Sequence, residues 1–314
     1  MPKTILITGA AGFIGSNFVR LLLRSGEYDY IRILDALTYA GNLDNLAGCL
    51  DDPRVKFIQG DIANSEAARR AMRGCNAVVH FAAETHVDRS LSSADPFLHT
   101  NVLGTYVLLE TARESDIGKF LHISTDEVYG PMIEDSAKED YPFNPSSPYS
   151  ASKVAAEAMV NAYRVSFGIP TVVVRPANNY GPYQFPEKLI PFFVKRAVEG
   201  KSLPVYGEGL QVRDWLHVED NCRAILLALR EGKSGDVFNI GTDNHHKNIE
   251  ITRRIIEILG LGEDRIEYVT DRLGHDFRYA VDSTKIRNLG WRPEIPFDKG
   301  FKDTVLWFAR QFGG

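Results

Sequence analysis

The sequence predicts an α/β protein in which helices cover both faces of a doubly wound parallel sheet, followed by a smaller mixed α/β lobe. Three observations predict this fold. Short apolar runs alternate with helix-like stretches in the first half of the chain, and a glycine turn directly follows the first run. The alternation stops after Arg175, where prolines become frequent. A chain of 314 residues also exceeds the usual size of a single core, which favours a large domain with a second lobe.

The predicted strands of the first half are apolar runs of four or five residues. Strands that are buried on both faces read as nearly continuous apolar runs, so these runs indicate a parallel sheet. Helix-like stretches separate them, including 105–114 and 150–167. The predicted strands span 5–8, 31–35, 56–59, 77–81, 120–124 and 171–175.

The second half of the chain is less regular. Prolines interrupt a loop-rich region, and helical patterns return near 219–230 and 249–259. The apolar run 237–240 can return to the first sheet. We therefore predict a first domain over 1–175, with a return segment within 213–240, and a second lobe over 176–314.

Composition and charge exclude several classes of protein. No run of 18 apolar residues is present, so no membrane span is predicted. A net charge of -5 disfavours nucleic-acid binding, which depends on clustered Lys and Arg. The segment from Met1 to Gly9 lacks the pattern of a secretory signal, so we expect a cytoplasmic protein.

Cysteine and histidine patterns do not predict a metal site. The three cysteines are widely spaced and form no CxxC pair, which is typical of reduced structural thiols. His245 and His246 are neighbours that do not share a face, and no carboxylate cluster accompanies them.

The glycine turn predicts a dinucleotide site. Gly9, Gly12 and Gly15 follow the first strand and open a helix near Phe13. Glycine permits a tight turn and close backbone approach, and the start of the helix offers unpaired N–H groups to a pyrophosphate. Taken alone, these residues could be ordinary turn glycines. Their position favours a Rossmann-type domain.

The ends of the next strands supply further cofactor contacts. Asp35 ends the second strand, where a carboxylate accepts hydrogen bonds from both ribose hydroxyls and repels a ribose phosphate. NAD is therefore favoured over NADP, although an isolated Asp35 could equally be a turn or capping residue. The other strand-end contacts that we predict are Asp61, Ile62, Phe81, Ala82 and Ala83.

Tyr149 and Lys153 are spaced to share one face of a helix. A buried ammonium beside a phenol favours the phenolate, so we expect the pKa of Tyr149 to lie below its usual value. This spacing also arises by chance. The pair follows the run 120–124 by about 25 residues, so Ser124 or Thr125 can hydrogen-bond the same substrate hydroxyl.

Thr125, Asp126 and Glu127 stand at the end of the same strand. Two adjacent buried carboxylates cannot both be charged without cost, so we expect one to hold a proton at neutral pH. The pair then supplies an acid and a base. The alternative is a polar turn in which Asp126 caps a helix and Glu127 is solvated.

Five motifs and the glycine turn give the chain a family resemblance. It resembles the dTDP-glucose 4,6-dehydratases of the extended short-chain dehydrogenase family over nearly its whole length. The motifs are STDEVYG at 124–130, SPYSASK at 147–153, NNYGPYQFPEKLIP at 178–191, VRDWLHVED at 212–220 and DRLGHDFRYAVD at 271–282.

The resemblance implies a reaction in three steps. Tyr149 takes the proton of the sugar 4-hydroxyl while hydride passes to NAD, with Lys153 and Thr125 in support. Glu127 then removes the acidic proton at carbon 5, Asp126 protonates the departing 6-hydroxyl, and hydride returns to carbon 6. The resemblance extends the cofactor set to Ile14, Thr38, Thr85, Asn101, Ser124, Tyr149, Lys153 and Asn178.

The resemblance also implies a nucleotide-diphosphate sugar as the partner, held by the second lobe. Arg213 and Arg278 would pair with the diphosphate and Asn178 would donate to it, while Thr85 and His86 would lie near the sugar. Arg213 could instead form an exposed ion pair with Asp214, and His86 could be an ordinary polar residue at a strand end. The predicted substrate set also contains Thr125, Asp126, Glu127, Lys188, Leu189, Pro204, Tyr206, Asn248 and Tyr279.

Several alternatives remain. Pro176 and Ala177 stand where the dTDP-glucose enzymes commonly carry Cys-Ser, so another nucleotide or an N-acetylated sugar is compatible with the sequence. A nucleotide-sugar epimerase or decarboxylase shares the Tyr-Lys pair but does not need the acid Asp126. A catalytically inactive NAD-binding protein is the alternative outside enzymes. The resemblance further implies a homodimer formed through the helices near 105–114 and 150–167.

Overall fold

The computed structural model describes residues 2–271 and 274–313 of the chain. The strands of this part form three sheets. In chain order they are β1 Thr4–Thr8, β2 Tyr30–Asp35, β3 Val55–Gln59, β4 Ala77–His80, β5 Lys119–Ile123, β6 Thr171–Pro176, β7 Asn178–Tyr180, β8 Leu203–Tyr206, β9 Val212–His217, β10 Val237–Ile240, β11 His245–Lys247 and β12 Ile266–Val269.

The main sheet has seven parallel strands in the order β10-β6-β5-β4-β1-β2-β3. Successive side chains of a strand point to opposite faces, so Ile5 and Ile7 enter one apolar cluster and Leu6 enters the other. Because both faces are covered, every residue of β1 is buried. The predicted doubly wound, Rossmann-type sheet is confirmed.

Helices cover this sheet and build the second lobe. A π-helical stretch, Leu98–Gly104, precedes one of them, and short 3-10 turns occur at Leu43–Leu46, Asp126–Tyr129 and Glu263–Arg265. The α-helices are α1 Phe13–Ser25, α2 Ser65–Met72, α3 Val87–Ser92, α4 Asp95–Phe97, α5 Thr105–Arg113, α6 Pro148–Phe167, α7 Leu189–Val198, α8 Val218–Glu231, α9 Asn248–Ile258, α10 Thr284–Asn288 and α11 Phe297–Gly313.

The sequence defines both ends of α6, the helix that carries Tyr149 and Lys153. Ser147 and Ser150 form a reciprocal capping box, and Pro148 occupies the first turn, where its missing N–H has no cost. Gly168 ends the helix in the left-handed conformation, with φ of 73°. Local sequence therefore decides where the helix that carries Tyr149 and Lys153 begins and ends.

The second lobe is mixed α/β, as predicted. β9 pairs with β7 in parallel and with β11 antiparallel, and β8 pairs with β12. Helices α7, α9 and α11 pack around a third apolar cluster that includes Tyr180, Trp215 and Phe301. None of the described helices combines the length and the apolar character that crossing a bilayer requires.

The chain returns from the second lobe to the main sheet. β10 pairs in parallel with β6, and α8 packs against α1, whereas β9 belongs to the three-stranded sheet. Ile286 and Trp291, later in the chain, also join the apolar cluster on the main sheet. The division into 1–175 and 176–314 stays a prediction.

Candidate active site

A cavity of about 310 Å³ lies at the carboxyl ends of the parallel strands. Strand ends meet at one edge of such a sheet, where open α/β folds bind their ligands. The residues of the predicted site that line it are Gly9, Gly12, Phe13, Ile14, Gly15, Asp35, Thr38, Asp61, Ile62, Phe81, Ala82, Ala83, Thr85, Ser124, Thr125, Asp126, Glu127, Tyr149, Lys153, Asn178 and Lys188.

The glycine turn is too tight for side chains. Gly9 has φ of +71°, and a Cβ there would lie 2.5 Å from the nitrogen of Ala82. A Cβ on Gly15 would lie 2.5 Å from the carbonyl oxygen of Gly9. Gly12 is the N-cap of α1, and no side chain caps the helix. The start of α1 therefore faces the cavity with free N–H groups, which suits a pyrophosphate.

Asp35 is fixed at the end of β2. One carboxylate oxygen accepts from the N–H of Ala11 and the other from that of Leu37, both at 2.8 Å. The side chain is buried, and burial raises its pKa. Each carboxylate oxygen can accept a second hydrogen bond, so the pair is suited to two ribose hydroxyls.

Tyr149 and Lys153 lie one helical turn apart at the cavity. Thr125 hydrogen-bonds Tyr149, and Nζ of Lys153 donates to the carbonyl of Ile123 at 2.7 Å. The expectation of a lowered tyrosine pKa is wrong for the protein alone: burial, and then the charge of Glu127, raise the pKa of Tyr149. Burial lowers the pKa of Lys153 to about 8. The phenolate therefore requires further positive charge in the cavity.

Asp126 and Glu127 differ in their surroundings. Asp126 is 4% exposed, and burial followed by the charge of Glu127 raises its pKa to about 8. Its Oδ1 accepts from Thr125 Oγ1 at 3.2 Å, and its buried Oδ2 makes no hydrogen bond in the described part of the chain. Glu127 is only half-buried. The raised pKa of Asp126 supports the expectation that one carboxyl of the pair holds a proton at neutral pH, which stays a prediction.

The raised pKa of Asp126 makes stability depend on pH. Because its folded-state pKa of about 8 exceeds the ordinary 3.8, the folded protein binds the extra proton between these values. The free energy of unfolding should fall as the pH rises through this window. We expect Asp126→Asn, which cannot ionise, to gain a few kcal/mol over the wild type between about pH 5 and about pH 9, at about 1.4 kcal/mol per pKa unit.

Urea unfolding of both proteins at the two pH values measures this difference. Asp51→Asn is the matched control, because Asp51 is exposed to solvent. A difference between Asp126→Asn and the wild type that stays constant with pH would contradict the buried, protonated carboxyl.

Arg213 lies inside the protein rather than in an exposed ion pair. It is 6% exposed and donates to the carbonyls of Val212 and Asp276 at 2.8 and 2.9 Å. Asp214 instead accepts from backbone N–H groups of the segment 242–244. The guanidinium of Arg213 lies 4.4 Å from the ring centroid of Tyr279 and lowers the pKa of Asp126 by its charge, against the burial that raises it. Arg213 is thus close enough to act on the acid pair.

Asn101 of the predicted cofactor set lies outside the cavity, and its cofactor role stays a prediction. The residue is buried, but it does not line the cavity. Its amide donates to the carbonyl of Glu84 and to Ser152 Oγ, and it accepts from the N–H of Glu84. The preceding residue, Thr100, lines the cavity instead. Asn101 therefore shapes the loop after β4.

Other predicted substrate residues lie outside this cavity. Arg278 donates to the carbonyls of Met132 and Asp135, and the buried Oδ1 of Asn248 has no partner in the described part of the chain. Arg272 and Leu273 of the motif 271–282 lie outside the described residues. The substrate roles of these residues stay predictions, and the residues of the set outside the cavity are His86, Leu189, Pro204, Tyr206, Arg213, Asn248, Arg278 and Tyr279.

Sequence reasoning missed one group of cavity residues. Glu187 lies 3.3 Å from Arg89, whose guanidinium stands 3.9 Å from the ring centroid of Tyr39. His86 caps α3 and lies 3.9 Å from Glu187. Only the motif 178–191 signalled part of this group. The missed lining residues with polar or aromatic side chains are Glu84, Thr100, Asn179, Gln184, Phe185 and Glu187.

The cavity fits a dinucleotide and a sugar chemically. Several of its side chains bury oxygen atoms that make no hydrogen bond in the described structure, and buried polar atoms normally have partners. A hydroxyl-rich ligand supplies such partners, while the glycine turn accepts a pyrophosphate. The unpartnered atoms are Ser124 Oγ, Asp126 Oδ2, Asn178 Oδ1, Gln184 Oε1 and Glu187 Oε1.

Known proteins resemble the chain over nearly its whole length. Residues 6–304 match the family described as GDP-mannose 4,6 dehydratase. A low-salt glycan biosynthesis protein of Haloferax volcanii is 51% identical over 97% of this chain and 98% of its own. A dTDP-glucose 4,6-dehydratase of Streptomyces niveus is 48% identical, over 97% and 92% respectively. The crystal structure of a dTDP-glucose 4,6-dehydratase of Streptomyces venezuelae, with NAD bound, has a TM-score of 0.97 at 45% identity, covering 99% of this chain and 98% of that one.

Proposed function

The chain belongs to the GDP-mannose 4,6 dehydratase family, and on this premise we propose that it is an NAD-dependent dTDP-glucose 4,6-dehydratase. It converts dTDP-glucose to dTDP-4-keto-6-deoxyglucose. One observation carries the proposal: Asp126, whose burial raises its pKa to about 8, stands next to a half-buried Glu127 at the Tyr149 site. Oxidation needs one base, whereas removal of water needs an acid and a base of its own.

NAD, when bound, supplies a hydride acceptor for carbon 4, a hydride donor for carbon 6 and the positive charge of its oxidised ring. The glycine turn and the start of α1 hold the pyrophosphate, and Asp35 accepts from the ribose hydroxyls. Positive charge near Tyr149 lowers a phenol pKa that burial alone raises. Lys153 adds to this charge.

Tyr149 is the base of the first step. Its phenolate oxygen takes the proton of the sugar 4-hydroxyl as the carbon–hydrogen bond at carbon 4 breaks. Thr125, which hydrogen-bonds Tyr149, orients the same hydroxyl. The product is a ketone at carbon 4.

Glu127 and Asp126 perform the elimination. The 4-ketone makes the proton at carbon 5 acidic, and Glu127 removes it. Asp126 donates its proton to the 6-hydroxyl, so the bond between carbon 6 and oxygen breaks and water leaves. A carboxyl with a pKa of about 8 holds that proton at neutral pH.

The proposed function is tested by the product. We expect the purified protein to convert dTDP-glucose to a compound lighter by one water, with no net NADH, and to act more slowly on UDP-glucose, UDP-N-acetylglucosamine and GDP-mannose. Mass spectrometry of each reaction measures the loss of water. A product that keeps its 6-hydroxyl would indicate an epimerase and contradict the dehydratase proposal. Faster turnover of another nucleotide sugar would show that the proposed substrate is wrong.

The protein is also proposed to be a cytoplasmic homodimer. The helical face formed by Leu98–Gly104, α5 and α6 exposes large apolar side chains, which a second copy would cover. Free, buried thiols at Cys49, Cys75 and Cys222 suit a reducing compartment. Light scattering of the purified protein measures its mass. The exposed apolar residues are Leu98, Leu103, Tyr106, Val165 and Phe167.

A further inference from the structure

An ion pair is buried behind the catalytic residues. Arg175 and Glu157 have side chains that are each 4% exposed, with Arg175 Nη2 and Glu157 Oε2 2.6 Å apart. Arg175 Nε donates to the other carboxylate oxygen at 3.0 Å. Burying two charges costs more than their attraction returns unless the geometry is favourable. Stability alone is therefore a weak reason for this pair.

One end of the pair reaches the catalytic turn. Arg175 Nη1 donates to the hydroxyl of Tyr129 at 2.5 Å and to the carbonyl of Glu139 at 3.0 Å. The hydroxyl of Tyr129 donates in turn to Asn239 of β10 at 2.8 Å. Tyr129 ends the 3-10 turn that begins with Asp126 and Glu127. Arg175 thus joins this turn to the buried ion pair.

The other end of the pair lies one helical turn from Lys153. Glu157 follows Lys153 by one helical turn on α6, and its charge raises the pKa of Lys153 against the burial that lowers it. Tyr149 faces Lys153 from the same helix. His80 of β4 and His122 of β5 are also close, and burial lowers the pKa of each, so both are neutral at working pH. Glu157 is therefore the carboxylate that favours the charged form of Lys153.

We propose that Glu157, clamped by Arg175, is a positioning residue for this reaction: it keeps Lys153 cationic beside Tyr149 and ties α6 to the turn carrying Asp126 and Glu127. The inference rests on the proposed dehydratase function. The buried pair then acts on both halves of the reaction: on oxidation through the charge of Lys153, and on elimination through the hydrogen bond to Tyr129.

Glu157→Gln tests the link to Lys153. In the Asp126→Asn background, where elimination is slow, NADH absorbance in a single turnover reports the oxidation rate. The oxidation rate should fall at alkaline pH, where Lys153 loses its proton. We expect this fall to begin about one pH unit lower in Glu157→Gln, because the variant lacks the carboxylate charge that favours charged Lys153. Glu157→Asp keeps the charge and should keep the profile of the Asp126→Asn background.

Tyr129→Phe tests the link to the turn and leaves the ion pair intact, so it decides the question even if Glu157→Gln fails to fold. We expect elimination to slow by at least roughly threefold to tenfold, because the hydroxyl loses its hydrogen bonds to both Arg175 and Asn239, with the alkaline limb of oxidation unmoved. A transient accumulation of NADH would show that elimination has become slow relative to oxidation.

Asp220→Asn is the matched control. Asp220 is 1% exposed and pairs with Arg223, and neither residue lines the cavity. The inference would be overturned if the alkaline limb of the oxidation rate did not move in Glu157→Gln, or if it moved equally in Asp220→Asn. Unchanged elimination in Tyr129→Phe would also overturn it. A wild type that alters no nucleotide sugar would instead overturn the proposed function, and this inference with it.

Discussion

Asp126→Asn is expected to slow the loss of water about 10²- to 10⁴-fold while oxidation at carbon 4 continues. Asparagine keeps the size of the side chain but has no acidic proton for the departing 6-hydroxyl. In the wild type, burial and the neighbouring Glu127 raise the pKa of Asp126 to about 8, which keeps this proton at neutral pH. NADH should therefore accumulate during a single turnover of the variant and not of the wild type.

Glu127→Gln provides the comparison that separates the two carboxyl groups. Both variants should accumulate NADH, because both stop elimination. In Asp126→Asn the base Glu127 is still present, so deuterium from heavy water should enter carbon 5 of the stalled sugar. In Glu127→Gln it should not. Equal slowing of oxidation and elimination in Asp126→Asn would contradict the role of this residue as the acid.

Tyr149→Phe is expected to lower NADH formation by about 10²- to 10⁴-fold, because the base of the first step is lost. The ring packs edge-on against Phe97 at 6.3 Å between centroids, and phenylalanine keeps this contact. Bound NAD and the KM for the sugar should change little. In the Asp126→Asn background, where NADH accumulates, absorbance during a single turnover measures the step. The NAD released on denaturation reports cofactor content.

Tyr163→Phe is the matched control for Tyr149→Phe. Tyr163 lies on the same helix and its hydroxyl bonds Glu110 rather than a cavity residue. We expect wild-type rates from this variant. Near-normal NADH formation by Tyr149→Phe would show that another group removes the proton of the 4-hydroxyl.

Local patterns were sufficient for the fold and for most of the cavity. The turn at Gly9, Gly12 and Gly15, and the strand-end Asp35, are predicted correctly because a tight turn after a strand depends on neighbouring residues alone. The spacing of Tyr149 and Lys153 placed both on one helical face for the same reason. Parallel strands bring their ends together, so separate motifs could be assigned to one site.

The sequence does not show which side chains are buried or which distant segments come into contact, and this limited the prediction. The sequence does not show which side chain turns towards the cavity: Thr100 lines it and the neighbouring Asn101, which we predicted, does not. Glu187 and Tyr39 meet through Arg89, although the three residues come from distant segments. The sequence also implied a lowered pKa for Tyr149, whereas full burial beside Glu127 raises it.

By itself, the sequence determined the doubly wound sheet, the glycine turn and the spacing that places Tyr149 and Lys153 on one helical face, because these depend on local spacing and side-chain chemistry. Only the tertiary structure shows that Asp126 is buried whereas Glu127 is half-buried, which gives the physical reason for Asp126 as the acid. The pKa of Asp126 depends on its removal from water and on the charges around it. The structure also joined Glu157, Arg175 and Tyr129, since only folding brings α6, β6 and the catalytic turn into contact.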